Sequence, residues 1–278
     1  MSRCLPFVIL VWWGIAVPGI AQQVVTNSLG MEFVLIQPGS MTVGEFRPPY
    51  PVPLDTVKGE KRPSIMYMGE GRTYNASEFA LAKTLAMRDT REGIRVKIKK
   101  AYYLSRHEVT QAQWKRIMGN NPSSFSEPDS ANRPVEGVTW SDTQAFIANL
   151  NRLEPGSKYR LPTEFEWEYA ARAGARGDIP WSSIEQLANL NKTHTIAVGQ
   201  KQPNAWGLYD MLGNVWEWVD DYYNESLFAD RRPPRRGTEH VLKGASFAGD
   251  VKNATYMTHA AGPGNGWDVG FRIVREQP

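Results

Sequence analysis

The chain has 278 residues, of which 22% are charged and 41% are apolar, and its formal net charge is +3. This balance predicts a packed core in one large domain or two small ones. A charge so close to neutral argues against a dedicated nucleic-acid-binding protein. The basic clusters Lys97–Lys100 and Arg231–Arg236 could contact an anionic partner, but we interpret them as a strand with solvated lysines and an exposed loop.

The N-terminus has the features of a secretory signal peptide. Arg3 precedes an apolar run from Leu5 to Val17, and small residues over Gly19–Ala21 suit signal-peptidase cleavage. We therefore predict cleavage after Ala21 and a secreted or periplasmic protein with no stable membrane span. The alternative, a retained membrane anchor, is disfavoured by Pro18 and by a run shorter than the roughly 20 residues of a spanning helix.

The sequence has a single cysteine, Cys4, which lies inside the predicted signal. Cleavage would leave no disulfide, no thiol nucleophile and no thiolate metal ligand. It would also remove Arg3 and move the net charge from +3 to +2.

Two strands are predicted near the start of the mature chain. Met31–Ile36 is predicted to be a strand that is stopped by Pro38 and Gly39, and Ser40–Val43 resumes it, which favours a hairpin between them. Residues 45–99 are Pro-rich at their start and irregular, so they are predicted to be an insertion or lid. A short helix is expected within them over Ser77–Met87, and strand alternation returns over Arg95–Leu104.

Three helix starts share the pattern of a capping box, in which a Ser or Thr oxygen and a side chain three residues later bond reciprocally to backbone amides. The predicted helices run from Thr110 to about Met118, from Ser141 to about Leu153, and from Thr163 to Gly174. Glu168 and Arg172 lie four residues apart in the third helix and are expected to pair.

Helical periodicity fades after Gly174. Ala188–Ile196 is predicted to be a strand or a loop near a ligand. Val241–Phe247 and Gly270–Val274 are predicted to be the last two strands.

The densest stretch is Gly207–Trp218, where Trp216 and Trp218 flank Glu217 directly after a Gly-Asn turn. A carboxylate held rigidly between two rings, with carbonyls nearby, is a candidate ligand for a hard cation such as calcium. The alternative is that Glu217 forms the polar edge of a half-buried aromatic element.

Seven motifs in this order resemble the sulfatase-modifying-factor family, which has the fold of the formylglycine-generating enzymes. They are Gly30–Ile36 with Pro38–Ser40, Tyr103–Trp114, Pro134–Trp140, Tyr159–Gly174, Gly207–Trp218, Lys243–Phe247 and Gly270–Arg272. The resemblance implies an α+β, loop-rich fold related to C-type-lectin-like domains, as a single domain over residues 22–278. Only the insertion at residues 45–99 has no counterpart in it.

The resemblance also implies structural calcium. By motif position, its ligands fall on the side chains of Asp210 and Glu217 and the carbonyls of Gly213 and Val215. A second family calcium site would use Asn189 and Leu190, although its later acidic ligand is not evident.

The chain departs from the family at its chemistry. Formylglycine-generating members bind copper with two cysteines, and Gly249 and Ala254 stand near the expected positions here. Copper(I) prefers thiolate ligands, so copper is not supported and formylglycine generation by that chemistry is excluded. The candidates for a residual active-site group are His259 and, as a hydrogen-bond donor in the groove, Ser246, although a lone histidine is more often structural.

Three functions remain open from the sequence. The protein is a divergent oxidase-like enzyme on a peptide or small substrate, as in periplasmic siderophore-maturing relatives. Alternatively, it is a noncatalytic lectin-like module whose groove holds a peptide, glycan or envelope protein, or it is a structural subunit of an envelope assembly that uses the insertion as its contact. Fold analogy alone does not choose among them.

Overall fold

The computed structural model describes residues 23–46, 91–177, 179, 181–225, 227, 233–251, 254–262 and 266–277. The predicted signal peptide and the predicted helix over Ser77–Met87 lie outside these ranges. In chain order the helices and strands are β1 (Val24–Thr26), β2 (Glu32–Ile36), β3 (Gly39–Phe46), β4 (Arg91–Ile98), β5 (Tyr102–Ser105), α1 (Gln111–Met118), α2 (Trp140–Leu153), β6 (Tyr159–Arg160), α3 (Glu164–Arg172), α4 (Trp181–Leu187), β7 (Trp216–Tyr222), β8 (His240–Lys243), β9 (His259–Ala261), β10 (Val269–Phe271) and β11 (Val274–Glu276).

The strands form three sheets. A five-stranded antiparallel sheet has the order β1-β2-β5-β11-β6, and a four-stranded sheet has the order β10-β7-β8-β9. The strands β3 and β4 form a separate two-stranded sheet, in which Gly39 pairs with Ile98 and Phe46 with Arg91. The fold is therefore α+β with short elements, as the sequence predicted.

The five-stranded sheet lies between two hydrophobic clusters. Val34 and Ile36 of β2 point into one cluster, and Phe33 and Leu35 point into the other. Successive side chains of a strand face opposite sides of a sheet, so a strand covered on both faces needs a continuous apolar run. That requirement explains the unbroken apolar sequence Phe33–Ile36.

Two of the three predicted capping boxes are confirmed, with Thr110 capping α1 and Thr163 capping α3. The second helix begins earlier than predicted. Its N-cap is Thr139, which exchanges hydrogen bonds with Asp142, so the expected box from Ser141 to Gln144 is wrong. The helix α4 was missed, because its two turns are too short to show a clear period.

The predicted hairpin of Met31–Ile36 with Ser40–Val43 is wrong. The strand β2 pairs with β1 and β5, whereas β3 pairs with β4, which lies inside the predicted insertion. The ends of residues 45–99 therefore belong to the sheet, and Val96 and Ile98 of β4 are buried.

The predicted strand Gly270–Val274 is two strands, because the chain passes from the four-stranded to the five-stranded sheet between Phe271 and Val274. The strand β9 was not predicted. In the part of the chain that the structure describes, no helix is long and apolar enough to cross a membrane.

Candidate functional site

The centre of the Gly207–Trp218 stretch is a buried ion pair between Glu217 and Arg272. Arg272 donates from Nε to Glu217 Oε2 at 2.6 Å and from Nη2 to Oε1 at 2.7 Å. The indole Nε1 of Trp167 donates to Oε2 at 2.6 Å. Burial disfavours the charged guanidinium, but Glu217 outweighs that effect and raises the pKa of Arg272. Glu217 is therefore a buried anchor and not the polar edge of an aromatic element.

Two more buried carboxyl groups surround this pair. Glu108 accepts hydrogen bonds from the Val215 amide at 3.2 Å and from Asn214 Nδ2 at 2.7 Å. Burial, together with the charges of Asp210 and Glu217, raises the pKa of Glu108. Burial raises the pKa of Asp210 to about 6. Three acids thus share one buried cation, Arg272.

Asp210 has the features of a metal ligand. Its Oδ2 accepts a hydrogen bond from the Gly199 amide at 2.7 Å, but its Oδ1 is buried without a partner. A buried carboxylate oxygen that accepts no hydrogen bond destabilises the folded state unless it binds a cation. Glu217 is less suited to this role, because three N–H groups already occupy its oxygens.

The predicted ligand carbonyls belong to a tightly fixed turn. Gly213 has φ of 77°, and a side chain there would collide with the carbonyl oxygen of Asn189. Among the described residues, no group of three or more His, Cys, Asp or Glu is arranged to hold a metal ion. Asp210 is thus the predicted calcium ligand with a side-chain oxygen that lacks a partner, and the carbonyls of Gly213 and Val215 stay predicted ligands.

The second predicted calcium site has a less favourable lining. The Asn189 carbonyl accepts the Asn214 amide at 3.0 Å, and the Asn189 side chain donates to the His194 carbonyl at 3.2 Å. Leu190 is buried. The adjoining cavity is lined by Lys192 and Lys201 and by no carboxylate, so the lining gives no charge that favours a divalent cation.

Ser246 lies beside an aromatic wall formed by three rings. Its hydroxyl donates to Asp268 Oδ2 at 2.7 Å. The rings of Phe125, Phe247 and Trp267 pack against one another, with centroids 5.0 to 6.0 Å apart. Trp267 is 50% exposed, whereas Phe247 is fully buried. The exposed ring of Trp267 is therefore held in place by Phe125 and Phe247, next to the carboxylate of Asp268.

Of the two positions expected for the family's cysteines, Gly249 lies two residues after Phe247 of this wall. Gly249 donates to the Ser246 carbonyl in a tight turn and accepts the Asn191 amide. Ala254 is 4% exposed. Neither residue carries a group that binds a metal or transfers a proton.

His259 has different partners from Ser246. Its Nδ1 lies 3.0 Å from Glu164 Oε1, and its side chain is 12% exposed. Burial would raise the pKa of Glu164, but the hydrogen bond from His259 and the charge of Lys243 outweigh it and lower that pKa. His259 is thus the outer end of a buried charge network.

Sequence reasoning missed the rest of that network. Lys243 is fully buried and lies 3.3 Å from Glu168 and 3.7 Å from Glu164. Glu168 also binds Arg172 at 2.7 Å, which confirms the predicted helix pair. The sequence indicated Lys243 only as the first residue of the Lys243–Phe247 motif. Its partners could not be predicted, because Glu164 and Glu168 lie on α3, far away in sequence.

The three-sheet α+β architecture of the described residues is the fold of the formylglycine-generating enzymes. A model of the sulfatase-modifying factor enzyme 1-like domain matches residues 21–277. The chain therefore belongs to this family.

Relatives of several kinds are similar to this chain. The chain is 29% identical over 238 residues to the chaperone protein LppX of Paenibacillus barcinonensis, covering 63% of this chain and 80% of LppX. It is 32% identical over 166 residues to the formylglycine-generating enzyme of Thermomonospora curvata, covering 50% of this chain and 52% of that enzyme. The chain thus spans about half the length of that enzyme.

Solved structures show the same fold. Variable protein 1 of Treponema denticola has a TM-score of 0.63 and 22% identity, covering 92% of this chain and 99% of that chain. PvdO from Pseudomonas aeruginosa has a TM-score of 0.66 and 23% identity, covering 92% of this chain and 99% of that chain.

Proposed function

We propose that this protein is an exported, noncatalytic binding module of the sulfatase-modifying-factor family, whose groove holds a peptide, a glycan or an envelope protein. One observation carries the proposal. Gly249 and Ala254 stand where the family's thiolates are expected, while the adjoining wall keeps an exposed aromatic ring at Trp267. The wall suits recognition, and these two positions supply no catalytic group.

The physical basis of binding is the ring of Trp267. An aromatic ring fixed by neighbours offers a large contact area with little loss of conformational entropy. Asp268 lies beside it and adds an acceptor whose orientation is set by Ser246. The likeness to LppX, a protein named as a chaperone, is consistent with a role in holding another molecule.

The groove is tested by replacing Trp267. The full chain is expressed with its leader and recovered from the exported fraction, where we expect a mature N-terminus at Gln22. Peptide and glycan arrays are then probed with this protein. We expect Trp267→Ala to weaken a bound ligand by at least about tenfold, as interface aromatics commonly do, with little change in melting temperature because the ring is half exposed.

Leu153→Ala is the matched control, because Leu153 is also exposed and lies on α2. It should leave ligand binding unchanged. Equal binding by Trp267→Ala and the unsubstituted protein would contradict the proposal.

The second candidate is an oxidase-like enzyme, and the pairing of His259 with Glu164 favours it. A carboxylate on Nδ1 fixes the orientation of an imidazole, which is the arrangement of a general acid or base. We expect no dioxygen uptake above background when the protein is given peptide substrates. Uptake that falls about a hundredfold or more in His259→Gln, with the fold intact, would replace the binding proposal with an enzyme.

Structural calcium is part of the proposal. Asp210 would hold the ion with the carbonyls of Gly213 and Val215, while Glu217 stays paired with Arg272. A bound calcium ion would compensate the excess of buried negative charge around Arg272. The second calcium site at Asn189 and Leu190 stays a prediction outside this proposal, because no carboxylate lines the cavity beside Asn189.

A further inference from the structure

Two adjoining cavities lie at the end of α3, and they differ in chemistry. The first has a volume of about 440 Å³ and a mainly apolar wall. Its apolar side chains include Ile179, Leu187, Leu208, Met211, Leu212 and Tyr256. The second has a volume of about 400 Å³ and a mainly polar wall. Arg172 and Ala175 line both cavities, so the two spaces meet there.

The polar cavity carries an excess of positive charge. Arg95, Arg172 and Arg176 line it, and of these Arg172 is paired with Glu168. The carboxylate among its lining residues is Glu45. Arg95 and Arg176 are exposed, and Nη2 of Arg95 lies 3.5 Å from the hydroxyl of Ser40. Guanidinium groups with a hydroxyl nearby suit carboxylate or phosphate oxygens.

Arginines at the end of a helix also have a simpler explanation, because cations there interact favourably with the helix dipole. That explanation covers Arg172 and Arg176, which lie at and just after the end of α3. It does not apply to Arg95, which lies on the strand β4 and not near the end of a helix. The convergence of two elements on one cavity therefore needs another reason.

The charged side chains are distributed unequally between the two cavities. Asp210 lines the apolar cavity and not the polar one, whereas Arg95 and Arg176 line the polar cavity and not the apolar one. Among the described residues that line the apolar cavity, the one cation is Arg172, which is already paired with Glu168, so an anionic group would be attracted to Arg95 and Arg176 of the polar cavity. A ligand with one charged end would thus enter in a single orientation.

We propose that the two cavities together bind a single-chain amphiphile with a carboxylate or phosphate head. The head lies against Arg95, Arg176 and Ser40, and the apolar chain passes Arg172 and Ala175 into the cavity lined by Leu208, Met211 and Leu212. Both volumes are within the range of small-ligand sites. Phe125, Phe247 and Trp267 line neither cavity, so this site is separate from the groove of the proposed function.

The ligand class is tested by calorimetric titration of the full mature chain below the micelle concentration of each probe. Dodecanoate and dodecyl phosphate are the two anionic probes, and dodecyltrimethylammonium has the opposite head charge. Acetate and inorganic phosphate lack the chain. We expect binding of at least one anionic probe, at least about tenfold weaker binding of the cationic probe, and about fourfold weaker binding for each methylene removed.

Substitutions locate the site. Arg95→Glu and Arg176→Glu should each weaken the anionic probe by about tenfold, and Arg236→Glu, an equally exposed charge reversal in another loop, should not change it. Ala175 is exposed, so Ala175→Trp should fold normally and block the junction. Loss of dodecanoate or dodecyl phosphate binding in that variant, with an unchanged melting temperature, would support the proposed path of the ligand's alkyl chain past Ala175.

The two anionic probes distinguish a carboxylate head from a phosphate head, and either result supports the proposal. Three results would overturn it. They are no binding of either anionic probe at millimolar concentration, equal binding of the cationic probe, and the same affinity in Arg95→Glu, Arg176→Glu and Arg236→Glu.

Discussion

Arg272 is a residue whose contacts join several distant parts of the chain. Besides Glu217, its guanidinium donates to the carbonyls of Ser105, Tyr209 and Asp210. The carboxylate of Glu217 neutralises the buried guanidinium, and these carbonyls accept its other hydrogen bonds. A charge in a protein interior requires both. Loss of one partner would leave the other charge buried and unpaired.

At this scale we predict that Arg272→Met destabilises the protein by about 3–5 kcal/mol, because it leaves Glu217 as an uncompensated buried charge. The double variant Arg272→Met, Glu217→Leu should recover a large part of that loss, because no orphaned charge remains. Urea unfolding of the single and double variants measures both effects.

The control for this prediction is Lys158, whose ion pair with Glu276 is 2.9 Å long but solvent-exposed on the lysine side. Lys158→Met should cost no more than about 1 kcal/mol. A loss for Arg272→Met as small as that for Lys158→Met would show that the buried pair does not hold the fold together.

Among the elements, α3 contributes most to the interior. It supplies Trp167 to the Glu217 pair, and Glu164 and Glu168 to the network of Lys243 and His259. The helix starts at Thr163, whose hydroxyl accepts the Glu166 amide at 3.1 Å while the Glu166 carboxylate accepts the Thr163 amide at 2.9 Å. The cap at Thr163 therefore fixes the start of the helix that carries Glu164, Trp167 and Glu168 to their buried partners.

The prediction for this element is that Thr163→Ala lowers the free energy of unfolding by about 1 kcal/mol, and by up to about 2 kcal/mol. Thr163→Ser keeps the hydroxyl and should cost much less. Chemical denaturation of both variants checks this, and equal losses for Ala and Ser would show that the hydroxyl does not act as a cap.

At the scale of the whole molecule, one segment near the C-terminus connects the two larger sheets. Val269–Phe271 pairs in parallel with β7, and Val274–Glu276 pairs antiparallel with β5 and β6. The buried acids Glu108, Asp210 and Glu217 surround the crossing point at Arg272. An ion bound at Asp210 would therefore act on the stability of the whole domain.

We predict that calcium raises the melting temperature and that a chelator lowers it. A ligand at about a hundred times its dissociation constant stabilises the folded state by about 2.7 kcal/mol. Asp210→Ala should remove this dependence, because it removes the carboxylate whose Oδ1 lacks a partner. Differential scanning calorimetry with and without calcium measures the shift.

Asp129→Ala is the control, since Asp129 is an exposed carboxylate next to a short 3₁₀ turn. It should keep the full calcium response. Identical melting curves of the unsubstituted protein in calcium and in chelator would contradict the calcium proposal.

Local chemistry made part of the fold and site predictable. The caps at Thr110 and Thr163 depend on atoms within three residues of each other, so the sequence was sufficient to predict them. The Glu168–Arg172 pair follows from helix spacing for the same reason. The start of α2 was misplaced because Thr139 with Asp142 and Ser141 with Gln144 both fit the capping pattern, and only the backbone path chooses between them.

The sequence by itself determined the apolar strand β2, the caps at Thr110 and Thr163, the family and the lack of cysteines at the expected metal positions. Only the tertiary structure decided that β3 pairs with β4, that Arg272 binds Glu217, that Lys243 meets α3, and that Arg95 and Arg176 line one cavity. The physical reason is that these contacts join residues far apart in sequence. Their energy comes from burial and charge pairing in a shared interior, which no local pattern encodes.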